Sequence, residues 1–324
     1  MINIIPPFKS IDENLTRRFL LENDFKMEFP LKHKLYYSYI RPLMPKKIRK
    51  MVQKFAGSNI KYRKNFIFNE LADLVFENEA GKNSFENLYP EKSKFAVVLT
   101  HDVETGDGLK FIPKVIDLEK KYNFFSSWNL VPYKYKIDNS IPGIIRESRN
   151  EIGIHGYNHD GKLYYSKEIF SERAKGINEA LKKFSSVGFR SPAVHRNLEW
   201  LQELEIKYDC SCFDYDPFQP FPGGTGSIWP FIAGKFVEIP YTLPQDHTMF
   251  YVLKEKTIDI WKKKIDWLVS RNGVILVLTH PDYLSENDHL KKYEELLIYL
   301  STLENGYHCL PHELADWWLM KYPG

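Results

Sequence analysis

Short apolar or β-rich runs recur along the chain from Phe95 onward, at 95–100, 124–131, 151–154, 188–190, 210–213, 236–239, 274–279 and 307–310, and each predicts a strand. Helical spacing fills most of the intervals, over about 109–122, 166–185, 255–271, 286–303 and 311–320; Trp261, Ile265 and Leu268 share one face of such a helix. Regular strand–helix alternation predicts a parallel sheet covered by helices. Seven or eight such units in one stretch suit a closed, distorted (β/α) barrel better than an open sheet. The first ninety residues have a different texture, of helices and loops. The expected organisation is a helical, basic N-terminal extension over 1–90 and an α/β barrel over 91–324.

Composition narrows the class only a little. With 324 residues, 43% of them hydrophobic, the chain can build one large α/β domain with an appendage, or two modest domains. No run approaches the ~20 apolar residues that span a bilayer. The first ten residues lack a secretory pattern, and Cys210, Cys212 and Cys309 form no disulfide framework, so a cytoplasmic location is expected.

Charge changes the picture more. Between Leu31 and Phe66 there are eleven Lys or Arg and no Asp or Glu, which leaves the remainder of the chain net acidic. Over 45–55, Pro45 opens a segment in which Ile48, Met51, Val52 and Phe55 fall at helical spacing among lysines. The plain expectation is a helix docked on the main domain with solvated lysines. The functional one is peripheral contact with an anionic membrane, at its inner face, or with a lipid-linked substrate. No nucleic acid is expected, because basic charge comes here without a reading motif.

Chemistry-bearing residues sit where strands end. His101, Asp102 and Glu104 follow the first predicted strand, His155 and His159 the third, Arg190 the fourth, Asp214 the fifth and His280 the seventh. In an α/β barrel those ends converge on the face where active sites are built. His155 and His159, four apart, can turn two imidazoles toward one ion, and a carboxylate from Asp102 or Glu104 can complete the set while the other stays free as a base. Arg190 suits fixing a carboxylate, and His280 suits a general acid. Asp214 either orients His280, touches substrate or lies in a solvated loop. His247, within Pro244-Gln245-Asp246-His247, is placed near the mouth. The aromatic run Phe218, Phe221, Trp229 and Phe231, among three glycines, reads as a loop with exposed rings or as packing.

Taken in order, T-H-D-V-E at Thr100–Glu104, H-G-Y-N-H at His155–His159, R-S-P at Arg190–Pro192, the Asp214 segment and L-T-H at Leu278–His280 resemble the five motifs of the polysaccharide deacetylase (NodB-homology, carbohydrate esterase family four) superfamily. The likeness spans residues 95 to 320. It implies a distorted (β/α) barrel, a divalent metal that is usually Zn²⁺, and hydrolysis of an N-acyl group, acetyl above all, from a sugar or glycan precursor. Carried onto this sequence, it implies Asp102 as base, His155 and His159 as ligands, Arg190 as the partner of Asp102, and His280 as acid, the base and acid flanking a water at the metal. Val103 stands where the common form has its metal-binding Asp. A variant group with D-x-D and H-G-Y-x-H is more similar, which makes Glu104 the third ligand; Asp102 on the metal with Glu104 as base stays open. R-S-P lacks the glycine that often follows, and the Asp214 segment lacks a tryptophan. Two rival expectations are a metal-free hydrolase of a small amide on the same scaffold and a carbohydrate-binding protein with a decayed site.

Overall fold

The computed structural model describes residues 2–22, 29, 31–40, 43–45, 48, 66–286 and 288–323. Ten strands form one sheet: β1 (Ile4–Ile5), β2 (Phe95–Val103), β3 (Ser127–Leu130), β4 (Glu151–His155), β5 (Gly188–Arg190), β6 (Tyr208–Asp209), β7 (Phe231–Ala233), β8 (Phe236–Glu238), β9 (Val274–Thr279) and β10 (Gly306–His308). All but β1 and β7 pair in parallel. The eight parallel strands match the expected number, and the curled sheet with helices outside it is a distorted (β/α) barrel.

β2 is the hub. All nine of its residues are buried, as a strand covered on both faces requires. One edge pairs with β9 from Ala96 to His101, while the other carries β10 at its start and β3 at its end. The seam between β9 and the β8 side is closed by side chains as well as backbone. The Thr242 hydroxyl donates to Val274 O at 2.7 Å and accepts from the Leu276 N–H at 3.1 Å, beside a Val274 N–H to Ile228 O bond of 2.9 Å. A hydroxyl doing the work of a ladder rung is what makes the barrel irregular there.

Helices Gly106–Lys121, Lys167–Lys183, Asp259–Val269, His289–Ser301 and Pro311–Lys321 occupy the expected intervals. Ser140–Glu147 was not anticipated, because Pro142 and Gly143 interrupt its apolar spacing. The strand expected over 210–213 falls earlier, at Tyr208–Asp209; beyond it the chain stays extended, and Phe213 keeps one bridge to Tyr241. β1 and β7 are too short for a pattern to reveal. The basic helix expected over 45–55 lies outside the described residues, Pro45 and Ile48 apart.

N-terminal residues pack on the barrel. β1 adds to β7, the Asn69 amide donates to Asp214 O at 3.1 Å, and the buried Glu22 carboxylate takes the Arg196 guanidinium through two nitrogens.

Candidate active site at the barrel mouth

β2 runs three residues past its expected end, so His101, Asp102 and Val103 are strand residues with alternating directions. His101 turns away from the mouth. Its ring stacks on Trp128 and bonds Thr279 Oγ1 at 2.8 Å and Glu119 Oε1 at 2.7 Å, in a network that also takes the hydroxyls of Tyr293 and Ser126. Asp102 and Glu104 point the other way, as two residues on an extended backbone must.

His155 ends β4. Its Nδ1 donates to Arg190 O at 3.0 Å, which leaves the lone pair on Nε2. Burial pushes this imidazole down to about 4, so it stays neutral. Gly156 then turns at φ 66°, where a Cβ would overlap the Pro192 ring. The following loop brings back His159 in the left-handed region at φ 58°. Asp160, the next residue, receives both forks of the Arg173 guanidinium at 2.7 Å each, from helix Lys167–Lys183. Asn158 Oδ1 accepts the Asp160 N–H at 3.2 Å, so the turn is bonded from within as well.

Glu104, His155 and His159 each present one ligand atom, and the three atoms lie within 4.8 Å of one another. Glu104 Oε1 is 3.0 Å from His159 Nε2. Nε2 of His155 is buried without a hydrogen-bond partner, and Nε2 of His159 faces the Glu104 carboxylate. Two imidazole nitrogens and a carboxylate gathered this closely fit a His₂-carboxylate site for Zn²⁺ or a similar divalent ion. Burial favours a neutral Glu104, yet the neighbouring His159 outweighs it and holds the carboxyl well below its usual range. Glu104 is thus an anion, as a ligand has to be.

Asp102 stands behind this set. It accepts from Asn129 Nδ2 at 2.8 Å, and Arg190 Nη1 is 3.5 Å from the same oxygen, Oδ1. Its Oδ2 lies 3.7 Å from His155 Nε2. Burial works to raise Asp102, but His155, Arg190, His280 and the Asn129 hydrogen bond together keep it below its ordinary value. The fully buried Arg190 is locked in place, donating through Nε to Cys210 O and through Nη1 to Thr100 Oγ1, both at 2.9 Å.

Across the mouth, His280 follows β9. Nδ1 bonds Asp246 Oδ1 at 2.7 Å, the His280 backbone N–H donates to Asp246 Oδ2 at 2.7 Å, and Nε2 is 3.9 Å from Glu104 Oε1. Burial opposes the charge on this ring, but Asp246, then Glu104 and Asp102, raise it to about 9. The imidazole therefore keeps its proton at neutral pH and turns Nε2–H toward the ligand set. Asp282, two residues on, accepts from the Glu104 N–H at 3.0 Å and from the Thr105 hydroxyl, tying the ends of β9 and β2 together.

The expected residues Asp102, Glu104, His155, His159, Arg190 and His280 thus converge. Asp214 does not join them. Its carboxylate is taken by the buried Lys264 at 2.5 Å, and the group that orients His280 is Asp246. Sequence reasoning placed the neighbouring His247 near the mouth but overlooked Asp246, whose only signal was its position directly after Pro244-Gln245. Asn129, in the middle of the apolar β3, was missed too. The aromatic run packs rather than lying open: Trp229 and Phe231 are buried, Phe218 and Phe221 half-buried.

No family model matches the sequence. The chain is 22% identical over 250 residues to a peptidoglycan deacetylase of Helicobacter pylori, an alignment covering 65% of this chain and 85% of that protein. Among solved structures it superimposes on a protein assigned as a polysaccharide deacetylase from Mycobacterium smegmatis, with TM-score 0.58 and 16% identity over 72% of this chain and 93% of the other. A similar match, TM-score 0.57 and 14% identity over 82% and 100%, is to Puue allantoinase. These likenesses agree with the order of the motifs. The chain thus has the fold of these proteins and is similar to polysaccharide deacetylases, and its first motif separates two carboxylates by one residue.

Proposed function

We propose that this protein hydrolyses an N-acyl group, acetyl in the simplest case, from an amino sugar within a glycan or glycan precursor. The observation that carries the proposal is the placement of the Asp102 carboxylate and the Asp246-bound imidazole of His280 on either side of the Glu104, His155 and His159 donor set. Glu104, His155 and His159 would hold a divalent cation, Zn²⁺ by the character of the donors, which when bound would supply Lewis acidity to the hydrolysis.

Asp102, kept anionic by Arg190 and Asn129, accepts a proton from the water that attacks the amide carbonyl carbon. Arg190 holds one carboxylate oxygen of Asp102, leaving Oδ2 on the side of the histidines. As the carbon–nitrogen bond breaks, His280 gives its Nε2 proton to the departing nitrogen, and Asp246 stabilises the imidazolium until then. The products are an amino sugar and a carboxylate. The reading of Asp102 as base and Glu104 as ligand is supported by the compact donor set that Glu104 shares with both histidines.

Metal analysis of the wild-type protein beside His155→Ala/His159→Ala, followed by turnover of N-acetylated glycans, tests the reading. About one equivalent of metal, lost in the double variant together with acetate release, is expected. A protein that takes up no metal after reconstitution removes the mechanism.

A further inference from the structure

Leu31, Leu35, Tyr39, Ile40, Leu43 and Ile48 all stand exposed, and they come from one stretch of eighteen residues. Leu31–Leu35 is helical, and the winding continues through Tyr36–Ile40. Leu31, Leu35 and Tyr39, four apart, therefore share one side. The usual arrangement is reversed. Lys34 lies with its ammonium 5.7 Å over the Tyr165 ring, while Leu31 and Tyr39 are 72% and 69% exposed. A helix that turns a lysine inward and its leucines outward is built for an apolar phase beyond the protein.

Charge identifies that phase. From Leu31 to Phe66 the sequence has eleven basic residues and no acidic one. An apolar row within such a segment suits the headgroup and acyl boundary of an anionic bilayer, where side chains of the row enter the hydrocarbon and ammonium groups meet phosphates. Among the described residues no helix is long and apolar enough to cross a membrane, so the contact is peripheral.

Location adds the functional half. Phe29, two residues before Leu31, packs its ring on Tyr165, His195 and Phe221 at 4.8, 5.1 and 5.1 Å. His195 and His159 line the same small surface pocket. The apolar row thus starts beside the mouth of the candidate active site.

We propose that the Leu31–Leu43 face docks on an anionic lipid surface and that the substrate is an N-acylated sugar on a lipid anchor, presented from that surface to the adjacent mouth. The substrate half rests on the function proposed above; the docking half does not.

The test is flotation of the full-length protein with phosphatidylglycerol vesicles against phosphatidylcholine vesicles, alongside deacetylation of a soluble N-acetylated sugar. Wild type is expected to float with the anionic vesicles only, and less so in high salt. Leu31→Ser/Leu35→Ser/Tyr39→Ser is expected to bind them at least about tenfold more weakly, with unchanged turnover of the soluble sugar. Lys46→Glu/Lys47→Glu/Lys50→Glu provides an independent check, with the same loss on anionic vesicles, should the triple serine variant not fold. Wild type that ignores phosphatidylglycerol, or variants that bind it equally well, overturns the docking. So does concentration-dependent self-association that the serine variant abolishes in a wild type that binds no vesicle, since the face would then cover a second copy. Vesicle binding without any deacetylation leaves docking standing and removes the proposed function.

Discussion

The two sides of the barrel mouth differ in how far their own hydrogen bonds complete them. On the acid side, Asp246 holds both Nδ1 and the backbone N–H of His280, each at 2.7 Å. On the ligand side, His155 buries an Nε2 without a hydrogen-bond partner, and His159 Nε2 meets only the Glu104 carboxylate. Leaving buried polar groups unpaired costs stability, about 1–3 kcal/mol each, so the ligand side is arranged for something the chain itself does not supply. The acid side needs nothing further. Ion removal should therefore disturb one side and leave the other nearly as it is.

The largest expected effect breaks the ligand side outright. Glu104→Ala should abolish metal binding and lower kcat/KM by at least about a thousandfold, because the Lewis acid is worth several kcal/mol. Metal analysis and acetate release would check both. Full activity with full metal content would falsify Glu104 as the ligand and restore the exchange of roles with Asp102.

Next in size comes the acid side. Asp246→Asn should reduce kcat by about a hundredfold while metal content stays at the wild-type level. In the proposed mechanism His280 acts protonated, so wild-type activity should fall as pH rises through the imidazole's pKa, which Asp246 first and Glu104 next push up to about 9. Removing the Asp246 charge lowers that pKa, and the alkaline limb of the kcat profile should move toward neutrality. A limb that stays in place would separate His280 from the proton transfer.

A smaller change sharpens the ligand side. Arg173 lies outside the donor set, but its fork on Asp160 holds the loop that returns His159. Arg173→Ala should weaken metal binding about tenfold, as loss of such supporting contacts commonly does, with partial rescue by Arg173→Lys and no shift of the alkaline limb. Isothermal titration with Zn²⁺ reads the first two, and the pH profile reads the third.

The smallest effect lies outside both sides and separates folding from catalysis. Burial pushes His308 down to about 4, so between about 4 and its ordinary 6.5 the unfolded chain binds a proton that the folded one refuses. Stability accordingly rises with pH across that window and is lost as pH falls through it. His308→Gln should flatten this slope in urea unfolding, with activity near neutrality unchanged.

What could be read without coordinates follows from how locally each feature is encoded. The strands of the hub, Phe95 to Leu99 and Val274 to Leu278, are continuous apolar runs because parallel strands are covered on both faces. His155, His159, Glu104 and His280 lie at or just after strand ends, so one topological rule gathers them. Asp246 escaped because it follows a segment that closes the barrel through Thr242 rather than through a ladder. Asp214 was grouped with the site for the same reason in reverse. It follows a run that looked like a strand, and only the fold reveals Lys264 from a later helix beside it. The seam at Thr242 and the pairing of β1 with β7 depend on contacts between distant segments, which local pattern does not record.

Asp282 carries a consequence for the time course of turnover. By accepting from the Glu104 N–H and the Thr105 hydroxyl, it fastens the loop of the proton donor to the loop of the ligand carboxylate, above two strands that already pair from Ala96 to His101. The gap across which His280 would protonate a leaving nitrogen is therefore set before any substrate arrives. A catalyst with that gap preset should show no lag in its first turnover, and its activation entropy should reflect capture of the substrate rather than ordering of the protein.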